Sequence, residues 1–153
     1  MRCQTRHRNE RSDSVAWLFV SRSNIEIVFA DWLDAIRRGD IDLMERTLAP
    51  DVVHRGVRPE MICKGRGQVL AMAGRRAVDL PAVDALELVA AGDCVVLSVR
   101  GPELGPPIDE TSEEVTGQAS IVFTLRDGKI VSMQDYMERA AALNAAGADG
   151  GWL

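Results

Sequence analysis

The chain has 153 residues, 46% hydrophobic and 27% charged, a balance that fits one domain around a single core. Composition excludes collagen-like, coiled-coil and disulfide-scaffold architectures, and no apolar run approaches the roughly 18 residues of a membrane span. The net charge of −5 is unevenly placed: residues 1–22 hold five arginines against two acids, a local +3, which leaves −8 on the remainder and argues against nucleic acid as a partner.

Residues 1–22 read as a basic extension outside the core, or as the product of a mis-assigned start, with Val20 as the alternative beginning. The apolar run Val15–Val20 is shorter than the h-region of a signal peptide, and no small-residue cleavage site follows it. Arginine outnumbers lysine 16 to 2, the mark of a GC-rich, bacterial type of coding sequence. The three cysteines, Cys3, Cys63 and Cys94, form no Cys-x-x-Cys, which points to a reduced cytoplasmic protein without a zinc site.

Ile25, Val28, Phe29, Trp32, Leu33 and Ile36 repeat at helical spacing and predict one apolar stripe. Gly39 ends that helix, and Asp40 caps a second one that carries Ile41, Met44 and Leu48 and is bounded by Pro50. A short strand from Val52 to Arg55 follows. Lys64-Gly65-Arg66-Gly67 then opens a third helix that runs to about Arg76; it matches no phosphate-loop pattern.

From Val83 the pattern changes to strands. Leu86–Ala90 and Cys94–Val99 flank the turn Ala91-Gly92-Asp93, and Val115–Leu125 and Ile130–Met137 flank Asp127-Gly128. Between the hairpins lies a proline-containing acidic loop, Gly101 to Glu114, which reads as a solvated loop or, alternatively, as a cover over a cavity mouth that disfavours anionic ligands. An Ala-rich helix from Glu138 to about Ala146 precedes a tail at 148–153. The resulting order, α-α-β-α-β-β-β-β, is α+β, with helices on one face of a curved antiparallel sheet.

Three stretches carry a resemblance over residues 24–147. They are Phe29-Ala30-Asp31-Trp32 onward through Leu48-Ala49-Pro50-Asp51-Val52-Val53-His54, then Lys64-Gly65-Arg66-Gly67-Gln68-Val69, then Val122–Ile130 with Met133-Gln134-Asp135-Tyr136. In this order they resemble the NTF2-like superfamily, and within it the SnoaL-like or nuclear transport factor 2 family proteins. The resemblance implies a cone of sheet wrapped over the N-terminal helices around a small-molecule pocket, with 23–147 as the domain. It also implies a homodimer; in that reading Val122 and Thr124, which alternate away from Ile121 and Phe123, face the partner.

Enzymes of the superfamily supply chemical tests. Aligned with ketosteroid isomerases, Trp32, Gly56 and Ile121 stand where the oxyanion Tyr, the base and the second acid belong, so that reaction is excluded. Limonene-epoxide-hydrolase-like enzymes keep an Asp where Asp135 stands, but the acid of their Arg-x-Asp partner is missing near Arg100-Gly101-Pro102. SnoaL-like polyketide cyclases place an acid–base Asp where this chain has Glu138.

Strand period puts Met133, Asp135 and Met137 on one face, and the two methionines mark it as the inner one. Asp135 is then a carboxylate amid sulfur and hydrocarbon, a setting that suits acid–base work; the alternative is a structural Asp paired to an Arg or a backbone amide. His54 is on the first strand, a position that borders the pocket in this superfamily; it reads as a hydrogen-bonded structural histidine or as a group that would hold or shuttle a proton opposite Asp135. Trp32, Ile121, Met133 and Met137 are the expected apolar wall, each equally readable as core. No nucleophile elbow occurs, and no motif calls for a cofactor or a metal. The expected function is therefore a cofactor-free cyclase, isomerase, dehydratase or epoxide-hydrolase-like enzyme acting on a compact apolar molecule. The alternatives are a non-catalytic hydrophobic-ligand pocket or a dimeric association module.

Overall fold

The computed structural model describes residues 23–78, 83–101 and 117–148. The expected basic extension, most of the acidic loop and most of the C-terminal tail lie outside these residues. Ser23 starts the first helix with a reciprocal capping box: its side chain accepts from the Glu26 amide, and the Glu26 carboxylate accepts from its own. The helix runs through α1 (Asn24–Glu26), a π-helical segment (Ile27–Leu33) and α2 (Asp34–Arg38), where Gly39 stops it in the left-handed conformation. Asp40 accepts from the Leu43 amide and caps α3 (Ile41–Thr47).

Two local expectations are corrected here. The i→i+5 winding of the π segment shifts the helical phase, so Ile27, Val28 and Trp32 are buried while Phe29 is 53% exposed. The second helix ends at Thr47 rather than at Pro50, because strand β1 (Leu48–Arg55) begins at once and carries the proline within it.

β2 (Ile62–Lys64), α4 (Arg66–Val78), β3 (Ala85–Ala91), β4 (Cys94–Arg100), β5 (Gln118–Arg126), β6 (Lys129–Tyr136) and α5 (Arg139–Ala145) complete the chain. The sheet order is β2-β1-β6-β5-β4-β3. Every pairing is antiparallel except β1 with β6, which run parallel with His54 opposite Met133. Asp127 and Gly128 both take positive φ, 53° and 76°, which lets a two-residue turn join β5 to β6 without splaying the strands.

One sheet face carries the main core. Val95, Leu97, Phe123, Leu125, Ile130, Met133, Leu48 and Val52 meet Ile27, Val28, Trp32, Ala35, Met44, Val69 and Ala73 from the helices. The other face holds a smaller cluster in which Val96 and Val122 lie under Ala142 and Leu143 of α5. Val122, expected to face a partner chain, is thus covered by the chain's own last helix and is 7% exposed.

Candidate functional site

Alternation along the strands decides which side chains share the inner face. On β6, Met133 lies opposite Phe123 and Asp135 opposite Ile121, so the carboxylate stands on the same face as the main core, toward the end of the strand. On β1, Val52 and His54 alternate inward with exposed Asp51 and Arg55. The parallel β1–β6 pairing then sets His54 one step below Asp135, and the two side chains meet. His54 Nε2 lies 2.6 Å from Asp135 Oδ1, across 81 residues of sequence.

An ionised carboxylate only accepts, so this short contact puts the proton on Nε2, which donates to Oδ1. The His54 side chain is 5% exposed and that of Asp135 17%. His54 Nδ1 is buried without a hydrogen-bond partner among the described residues. Asp135 Oδ2 also accepts no hydrogen bond there, yet it is not a buried orphan. The carboxylate is therefore the more exposed member of the pair.

The surroundings brace this pair. Gln134 Nε2 donates to the Gly56 carbonyl at 3.3 Å, tying β6 to the end of β1. Gly56 donates to the Met61 carbonyl, and a Cβ added to Gly56 would sit 2.6 Å from that of Met61. Only glycine lets the 56–61 loop close this tightly beside His54.

Among the expected wall residues, Trp32 and Met133 are packed in the main core at 4% and 2% exposure. Ile121 is half-buried against that core and faces Asp135 across the β5–β6 ladder. Met137 is half-buried just past the end of β6. Glu138, the rival carboxylate, is exposed at the N-terminal boundary of α5. No group of three or more His, Cys, Asp or Glu side chains that could hold a metal ion occurs among the described residues.

Two features have no signal in the sequence pattern. Arg139 Nε donates to Glu87 Oε1 at 2.8 Å, joining α5 to the edge strand β3 over 52 residues. Beside this ion pair a cleft of about 300 Å³ opens on the outer face of the sheet, lined in part by Ser98, Arg100 and Gln118. It includes neither His54 nor Asp135.

No helix among the described residues is long and apolar enough to cross a membrane. No curated protein matches the chain in sequence. Its fold, however, is shared by many solved structures. An NTF2-like protein of unknown function from Cytophaga hutchinsonii superposes with a TM-score of 0.55 at 14% identity, covering 78% of this chain and 93% of that one. A candidate polyketide cyclase from Xanthomonas campestris pv. campestris gives 0.53 at 21% identity, covering 80% and 95%. An LEH-like epoxide hydrolase from M. tuberculosis gives 0.52 at 20% identity, covering 80% and 89%. These likenesses establish an NTF2-like α+β fold. The family model described as the SnoaL-like domain matches residues 29–133, most of the chain, from within the π segment to within β6, and the chain belongs to that family.

Proposed function

We propose that this SnoaL-like protein is a cofactor-free acid–base enzyme acting on a compact, largely apolar molecule, with Asp135 as the reacting group. The observation that carries the reading is the 2.6 Å contact between His54 and Asp135 on the inner face. His54 Nε2–H holds one carboxylate oxygen and fixes its plane, so the other oxygen is free to take or return a proton. His54 is a positioning residue in this scheme. Ile121 supplies apolar contact beside the carboxylate, and Met137 flanks it at the strand end.

The superfamily's named neighbours, a candidate polyketide cyclase and an epoxide hydrolase, support proton-transfer chemistry as the class. Ring opening of an epoxide, or cyclisation and isomerisation through a carbon acid, needs a carboxylate poised against an apolar substrate. The test incubates the full chain in D2O with a panel of small epoxides and cyclic ketones, followed by NMR. Ring opening or deuterium uptake beside the carbonyl is expected, reduced by about 10²–10⁴-fold in Asp135→Asn. An unchanged rate in Asp135→Asn removes Asp135 as the reacting group, and a panel that binds without reacting replaces catalysis with hydrophobic-ligand binding. Cytoplasmic assembly as a homodimer belongs to the same proposal. Light scattering would then give twice the chain mass of 16.7 kDa, and a monomer mass rejects it.

A further inference from the structure

The outer-face cleft is separate from the His54–Asp135 pair and has its own chemistry. Cross-strand registry builds it in two rows: Ala85, Arg100 and Gln118 align across β3, β4 and β5, and Glu87 aligns with Ser98 one step along. Arg139 reaches over from the first residue of α5 and clasps Glu87, so that acid is already neutralised by its partner. Arg100 is exposed and makes no ion pair or hydrogen bond through its side chain among the described residues. Among the described residues, with Glu87 paired to Arg139, the Arg100 guanidinium is the charge that remains unpaired at the cleft.

The cleft's size, about 300 Å³, is that of a small-molecule site. Its lining surface is mostly apolar, with Ala85 on this face, while Leu86 and Val99 lie between the two rows and alternate toward the inner core. A guanidinium at the rim of an apolar recess matches a ligand with a planar carboxylate on a hydrocarbon body, because the carboxylate can take two parallel hydrogen bonds while the body leaves water. We propose that this cleft binds a small amphipathic organic carboxylate, with Arg100 as the anion-recognising residue. The Glu87–Arg139 pair walls the site, with its two charges spent on each other. This inference is independent of whether Asp135 is catalytic.

Titration of the ¹⁵N-labelled full chain with benzoate tests it. Benzoate should shift the amides of Ser98, Val99, Arg100 and Gln118. Arg100→Gln should weaken binding by about tenfold or more, as should replacing benzoate by uncharged benzamide. Glu87→Gln should tighten binding, since it leaves the positive charge of Arg139 beside the cleft without the Glu87 carboxylate. Asp135→Asn should leave the titration as it is. Shifts that centre on Asp135 and Ile121, equal binding of benzoate and benzamide, or an affinity untouched by Arg100→Gln would each overturn the proposal. So would a titration in which no amide moves.

Discussion

At the residue scale, the His54–Asp135 contact makes demands that a structural ion pair at the surface does not. Both groups are largely withdrawn from water, so removing either leaves a polar atom without its partner, at a cost of about 1–3 kcal/mol. His54→Phe strands Asp135 Oδ1, and Asp135→Leu strands His54 Nε2 beside the already unpartnered Nδ1. Replacing both leaves an apolar pair with nothing stranded, so the double variant should be more stable than the sum of the singles implies. Urea denaturation of the four proteins should give a coupling of about 0.5–3 kcal/mol, and effects that add within about 0.3–0.5 kcal/mol would show no such interaction. The inner-face position of Asp135 is legible in the sequence, since the apolar spacing of Met133 and Met137 marks the face. Its pairing with His54 is legible only through the superfamily resemblance, because the contact depends on the parallel register of β1 against β6, which no local pattern encodes. Glu138 and Asp135 could be told apart only once Tyr136 ended the strand and exposed Glu138 at the start of α5.

At the scale of elements, local signals served best where a period is long and bounded by turn residues. Both hairpins satisfy that condition, and their alternation matches the observed inner and outer faces. β2 does not: three residues, Ile62 to Lys64, offer no period, and they become a strand only by pairing with the backbone of β1. The first helix illustrates a different failure. Its apolar residues are spaced for an α-helix, but the π winding turns Phe29 outward and brings Ile27 in. The extra carbonyl presented by that winding is partly taken up by Thr47, whose hydroxyl lies 3.2 Å from the Asp31 carbonyl as well as 2.7 Å from that of Leu43. The phase makes opposite demands on adjacent residues. Phe29→Ser should change stability by no more than about 0.5 kcal/mol, whereas Trp32→Ala should cost about 3–5 kcal/mol, as judged by denaturant midpoints at constant slope. A large loss from Phe29→Ser would mean that this side chain is buried in solution and that the helix is α throughout.

At the scale of the whole molecule, one sheet separates two cores of unequal size. The inner core draws on every helix before β3 and on strands from both ends of the chain, so it can open only with the sheet itself. The outer cluster rests on Val96, Val122, Ala142 and Leu143, with Val89, Cys94, Tyr136, Ala146 and Ala148 half-buried around it. A seven-residue helix is far too short to persist alone, so α5 exists because Leu143 and Ala142 are docked. The Arg139–Glu87 pair adds a tie at one end, 15% and 28% exposed, where solvent reduces its worth. The outer layer should therefore open without unfolding the inner one. Native-state hydrogen exchange should show the amides of α5 opening at a lower free energy than those of Phe123 and Leu125. Leu143→Ala, which removes a side chain 1% exposed, should lower α5 protection further while the β5 amides keep most of theirs. If the two sets of amides instead exchanged at one common free energy, α5 would be part of the same cooperative unit as the inner core. The outer cleft, which borrows Arg139 from α5, would then be as rigid as the His54–Asp135 pair on the other face of the same sheet.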